Sequence, residues 1–370
     1  MASPIQIVRR QCGFSLVELM VGMFVGLIGI VSIYQVFAVF EGYKRTTTSG
    51  SDTGQSGAVA LFTLERDLRM SGYGINQPAL MGCTVNAFNS NLPAPSTFTF
   101  LMVPVVINVG AGTAPDSFTV TYGNPAFTAA PTSLTQNMPS PAATYQVANR
   151  FGMQEGDLLI AAESGKPCTL AEITNLPGTP GATTNVIHNS GTYVNAAGTS
   201  VTAAYNNAGG LGTSYTTNGV LYDIGSAPVS NTYSIVNGQL IATSNFGNGG
   251  NVAIADGIVQ IRAQYGMDDG INDGSVAHAS YAANDGVIDR YVNSAPASWT
   301  QVLAVRFGIV ARSALMEKAD PATGICNITT IAPSWAGGTL DVSADPNWKC
   351  YRYKVFETTV ALRNMLWTPQ

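Results

Sequence analysis

Residues Arg9–Phe40 read RRQCGFSLVELMVGMFVGLIGIVSIYQVFAVF, and their reading decides how the rest of the chain is understood. Two arginines and a glycine at position 13 precede an apolar run of 27 residues from Phe14 to Phe40, broken by one ionisable residue, Glu18. A charged side chain within a hydrocarbon-spanning helix costs roughly 2.5–3.5 kcal/mol on insertion scales. Such a residue is retained where it has a task and a partner. The run therefore reads as a membrane segment with a second duty.

Two plainer readings explain less. A secretory signal has an apolar core of about 7–15 residues followed by a small-x-small cleavage site, whereas here the natural break, Gly13–Phe14, lies before the run. A simple anchor needs about 20 apolar residues, which the run supplies, but it gives Glu18 no reason to be there. A carboxylate snorkelling to the headgroups is the plain alternative for that residue.

The segment Gly13-Phe14-Ser15-Leu16-Val17-Glu18-Leu19-Met20 closely resembles the type IV prepilin signal. The resemblance implies that a prepilin peptidase cuts after Gly13, that Phe14 becomes a methylated amino terminus, and that the apolar helix stays on the mature chain. Glu18 is then the fifth mature residue, about one helical turn from the new amine. In a bundle of such helices Glu18 can face the amine of a neighbour. The pairing is strong in a low dielectric, and an unpaired buried carboxylate is costly, so incorporation is rewarded. Arg9 and Arg10 keep the leader cytoplasmic by the positive-inside tendency.

Charged residues make up 11% of the chain, against about 25% in ordinary soluble domains. This suits an extracytoplasmic, β-rich protein. Removing residues 1–13 leaves 15 basic and 22 acidic side chains, a net charge of −7. No basic cluster follows the membrane segment, so nucleic-acid binding has no electrostatic footing. Cys12 leaves with the leader. The four remaining cysteines, Cys83, Cys168, Cys326 and Cys350, show no metal spacing and suggest two disulfides in an oxidising compartment. Three pairings are open; Cys326–Cys350 with Cys83–Cys168 is preferred because the shorter loop alone would contribute roughly 3 kcal/mol.

Beyond Phe40 the helix is expected to continue and then weaken. Thr46–Gly57 is rich in glycine and cap-forming residues, which disfavour helix interiors. A helical period returns over Ala58–Ser71, with Leu61, Leu64 and Leu68 on one face and Gly72 closing it. Strands are expected at Thr97–Ile107 and Ser117–Tyr122, and Thr232–Ser244 reads as a hairpin turning at Asn237-Gly238. Three alternating runs, Ile258–Tyr265, Val302–Arg312 and Tyr351–Leu362, are expected as neighbours in the main sheet. Residues 178–251 are the least specified.

Three further blocks, Leu61–Ile75, Ala255–Asp269 and Tyr351–Met365 with its closing Leu362-Arg363-Asn364, resemble the minor pilin family PilW. The fold class this implies is α+β: a long N-terminal transmembrane helix packed on an antiparallel, pilin-like β-sheet domain with an enlarged insertion. The expected organisation is a leader at 1–13, an assembly helix at 14–40 and its continuation at 41–72. A β-rich head follows at 73–370, of one or two lobes, with the insertion at about 86–250. The resemblance implies a structural subunit that helps initiate the pilus and sits near its tip. Its partners would be other minor pilins, the major pilin, the prepilin peptidase, a large tip adhesin and the inner membrane, which holds the chain before the fibre carries it outside. A tip adhesin and a type II secretion pseudopilin are the alternatives.

No catalytic motif or cofactor site is found, so no enzyme is expected. The two histidines, His188 and His278, read as solvated loop residues. Asp269, Asp273, Asp285 and Asp289, with Asn-Asp-Gly at 272–274 and 284–286, make a weak calcium candidate; Asx-turns explain the same residues without metal.

Overall fold

The structure, a computed structural model, describes residues 13, 15–75, 77, 81–126, 130–179, 183–246, 250–277, 280–320 and 322–366. The chain divides into two compact units, Met1–Asp52 and Thr53–Gln370. One long apolar N-terminal helix and a globular domain of antiparallel sheets make an α+β, pilin-like fold.

A single helix spans Leu16–Met70. It is continuous through 46–57, where sequence propensity predicts fraying. The physical reason lies in the head. A Cβ on Gly57 would fall 2.0 Å from Cε2 of Phe356, so glycine there lets a strand's aromatic ring lie directly on the helix backbone. Glycine costs a helix interior about 1 kcal/mol, and the buried contact offsets it. Further along, Ala60, Leu64 and Leu68 are fully buried, at the spacing of one helical face.

Beneath this face lies the four-stranded sheet, in the order Arg290–Val292, Ile258–Met267, Val302–Arg312, Tyr353–Ala361. The three alternating runs are indeed neighbours, antiparallel throughout. A five-stranded sheet (Val252–Asp256, Gln239–Ser244, Val229–Val236, Ser117–Tyr122, Val105–Asn108) adds Phe118, Val120, Tyr233 and Leu240 to the same core. Its hairpin turns at Asn237-Gly238, with Val236 opposite Gln239. Both turn residues have positive φ, 52° and 75°, as a type I′ turn requires.

Two local readings fail for identifiable reasons. The Thr97–Ile107 run splits into Thr97–Leu101 and Val105–Asn108, which join different sheets. Pro104 between them has no amide to donate to a ladder. In Ile258–Met267 a bulge between Ile258 and Gln260 turns Val259 off the main core and buries Gln260 instead, 1% exposed. The Gln260 amide donates to the carbonyls of Thr113 and Asp341, so the buried polar group is satisfied.

The insertion carries a six-stranded sheet: Thr97–Leu101, Thr84–Phe88, Cys168–Glu172, Leu158–Ala162, Val220–Gly225, Thr132–Ser133. Leu158–Ala162 and Cys168–Glu172 are buried at every residue, because separate apolar clusters cover both faces. Cys83 pairs with Cys168 and Cys326 with Cys350, at Cα separations of 6.0 and 4.9 Å. Glu172, 6% exposed, accepts the Tyr193 hydroxyl at 2.6 Å and the amides of Ala204 and Tyr205 at 2.7 and 3.0 Å, tying the loops to the sheet.

On the same sheet Asp223 is 3% exposed. Its Oδ1 accepts the Gly225 amide at 2.8 Å, while Oδ2 has no hydrogen-bond partner. Burial, aided by the charge of Asp157, pushes its carboxyl up to about 7. The ordinary unfolded value is about 3.9, so the folded state holds the proton more tightly. The stability this contributes is full below the unfolded value and is lost as pH rises through about 7. The interval caps the effect at roughly 4 kcal/mol. Asp223→Asn is therefore expected to raise the unfolding temperature of the detergent-solubilised chain at pH 8 more than at pH 4. An equal change at both would refute the account.

Candidate assembly site

The amino-terminal unit presents a helix on which every described side chain from Leu16 to Phe40 is exposed. The stretch Leu16–Glu41 has mean hydropathy 2.4 and is long enough to cross a bilayer. Gly13 lies open before it. Phe14 and the leader residues Arg9 and Arg10 lie outside the described residues.

Ser15 and Glu18 close the start of this helix on each other. The Ser15 amide donates to Glu18 Oε2 at 3.1 Å, and the Glu18 amide donates to Ser15 Oγ at 3.2 Å. This is a capping box, which satisfies two amides that a helix start leaves orphaned. Glu18 thus has a partner in its own chain, a role that sequence reasoning missed although S-x-x-E before an apolar run announces it. A second missed signal is Gly22-x-x-x-Gly26. With Gly29 these glycines recur at four and three residues, and a Cβ on any of them would meet nothing within 4 Å. Small residues at this spacing let helix backbones approach closely in a membrane.

In the head, the three PilW-resembling blocks meet at one junction. Leu64 and Leu68 from the first, Ile261 and Tyr265 from the second, and Val360, Leu362 and Met365 from the third share the main core. Asp67, 2% exposed, pairs with Arg66 at 2.9 Å and accepts the Tyr233 hydroxyl. Burial, followed by the Asp67 charge, raises the neighbouring Tyr122 hydroxyl to about 12. Asn364 ends the junction: its side-chain amide donates to the carbonyls of Met70 and Ser71 at 3.1 and 2.9 Å. The closing Leu-Arg-Asn is therefore a cap supplied to the long helix from the far end of the sequence.

The weak calcium candidates do not converge. Asp269 binds Arg290 through both oxygens, Asp273 and Asp285 each accept an amide two residues on, and Asp289 accepts the Gly270 amide. Among the described residues no group of three or more acidic, histidine or cysteine side chains is placed to hold a metal. His188 departs from the solvated-loop expectation. Its ring stacks on Tyr145 with centroids 4.3 Å apart, and Nε2 lies 2.9 Å from the Ala143 carbonyl; burial lowers its pKa. His278 lies outside the described residues.

Comparison with protein families matches residues 8–34 to the prokaryotic N-terminal methylation motif, the stretch that contains Gly13, Glu18 and the helix cap. Residues 225–364 match the Type IV Pilus-assembly protein W family, taking in the four-stranded sheet and the Asn364 cap. This chain is a PilW-like type IV pilus protein. Comparison with curated proteins and with solved structures finds no match. The PilW-like assignment makes the chain a membrane-anchored minor pilin that interacts with other pilins. It also points to a structural rather than an enzymatic role.

Proposed function

We propose that this minor pilin helps start type IV pilus assembly and sits near the fibre tip. The reading rests on one observation above others: a wholly exposed apolar helix carries a single carboxylate, Glu18, at its capped start. Such a helix has two stable environments, a bilayer and a bundle of similar helices, and the carboxylate favours the second when a neighbour offers a positive amine. In this reading the prepilin peptidase cuts at Gly13–Phe14, with Arg9 and Arg10 on the cytoplasmic side. The head stands in the periplasm until assembly carries it outside the cell with the major pilin and the other minor pilins.

A priming subunit is needed before any fibre exists. Deleting the chain is therefore expected to lower surface piliation, with partial recovery when retraction is blocked, because slow initiation is then no longer outrun by disassembly. Counting sheared fibres in the four strains decides. Abundant fibres that fail to attach would overturn priming in favour of a tip adhesin.

A further inference from the structure

The loop bounded by the Cys326–Cys350 disulfide displays large aliphatic side chains on a rigid support. Leu315, Ile325 and Ile331 are 53%, 56% and 82% exposed. An isolated exposed aliphatic needs no explanation, but a cluster of them marks an interaction surface. The support is specific. The Glu317 amide donates to the Cys350 carbonyl, the Ile328 and Thr329 amides both donate to the Lys349 carbonyl, and the disulfide joins the same two stretches. The Thr329 hydroxyl adds a bond to the Tyr351 carbonyl at 2.6 Å. The aliphatics are thus held outward by a stapled backbone.

Charge and position say what covers them. The head contains four lysines, Lys166, Lys318, Lys349 and Lys354. Three of them lie in this loop or the strand leading from it, and all three are exposed, in a chain whose net charge is negative. The loop is stapled to residues 349–351, and the strand that follows directly, Tyr353–Ala361, meets the first turns of the head's helix. Lys354 Nζ lies 3.6 Å from the Cβ position of Gly54, and the Phe356 ring lies on Gly57. The aliphatic and basic residues therefore sit at the end of the head where the helix enters, a few turns in sequence after the membrane segment ends at Glu41.

We propose that this loop is a membrane-docking surface, with Leu315, Ile325 and Ile331 entering the interfacial region of the bilayer and Lys318, Lys349 and Lys354 meeting anionic phospholipid headgroups. Exposed aliphatics flanked by lysines gain from both apolar burial and the negative surface potential. Docking holds the unassembled head against the membrane, and release from it accompanies entry into the fibre.

The test uses the full chain with Cys12→Ser, carrying a spin label at Ile331→Cys or, as a control on the insertion, at Val194→Cys. Each is reconstituted in phosphatidylcholine vesicles with and without phosphatidylglycerol. In mixed vesicles the Ile331 label is expected to favour collisions with dissolved oxygen over a water-soluble nickel chelate several-fold more than the Val194 label, and the preference should shrink without phosphatidylglycerol. Equal nickel access at both positions overturns the proposal. So does spin–spin broadening at Ile331 that grows with the protein-to-lipid ratio, which would mean that a second copy covers the loop. Hydrogen exchange on the unlabelled chain guards against mispairing of the added cysteine. Amides between Gly324 and Ile331 should exchange several-fold more slowly in anionic than in neutral lipid discs, and unchanged rates overturn the proposal.

Discussion

Glu18→Val is expected to leave the chain in the membrane at normal level and to remove it from sheared fibres. The substitution makes an already apolar helix more so, and retention in the bilayer does not suffer. In the proposed fibre the amine of Phe14 would then be buried without its counter-charge. Breaking a buried pair from one side costs about 3–5 kcal/mol, which is on the order of 100-fold or more in occupancy. The structure adds a complication that the variant series can resolve. Glu18 also caps its own helix through the Ser15 amide, a contribution of about 1 kcal/mol. Glutamine at position 18 keeps the capping acceptor and discards the charge. Glu18→Gln should fail in incorporation almost as fully as valine. If glutamine assembles normally in a shearing assay, the carboxylate serves the cap and charge pairing is not what recruits the subunit.

Gly57→Leu is expected to unfold the junction between helix and sheet. Even a Cβ at this position overlaps the Phe356 ring, and neither the helix nor the strand can withdraw without opening the core that Leu64, Phe307 and Val360 fill. Overpacking of this kind costs about 1–3 kcal/mol, occasionally more, and a leucine adds three further carbons to the clash. Gly57→Ala should cost less, because alanine recovers about 1 kcal/mol of helix propensity. A double-mutant cycle with Phe356→Ala isolates the contact. The leucine variant should regain stability when Phe356 is truncated, and additive losses in thermal unfolding would show that the ring is not the obstacle.

Gly57 also shows where sequence reasoning stops. Counted by propensity, the glycines of 46–57 argue for a weak helix; the partner that makes Gly57 favourable is some 300 residues away in the chain. The hairpin at Asn237-Gly238 was legible because its determinants are adjacent. The central strands were legible because one face is wetter than the other, leaving a period of two. Leu158–Ala162 and Cys168–Glu172 leave no such trace, since both of their faces are covered. The bulge at Ile258–Gln260 shifts the pattern by one residue without changing composition. At the candidate site the prepilin-like signal was plain, while the reciprocal Ser15–Glu18 cap went unread because attention to Glu18's charge hid its ordinary duty at a helix start. His188 was misjudged for a simpler reason: nothing beside it in sequence announces the Tyr145 ring on which it stacks.

The Asn364 side chain closes the Met70 end of a helix that begins 348 positions earlier, at Leu16. During export the chain emerges in order, so the carbonyls of Met70 and Ser71 wait for almost the whole polypeptide before their partner exists. The same holds for Gly57, whose ring arrives with Phe356. Contacts of such sequence separation give a high contact order, and loop-closure entropy must be met before they form, so folding is slow. Anchoring the first segment does not hasten this step. The head can complete its core only when translocation is nearly finished, and a chain halted earlier is left with an open helix end and an unpaired Val302–Arg312 strand edge, the kind of template that invites mispairing with another chain.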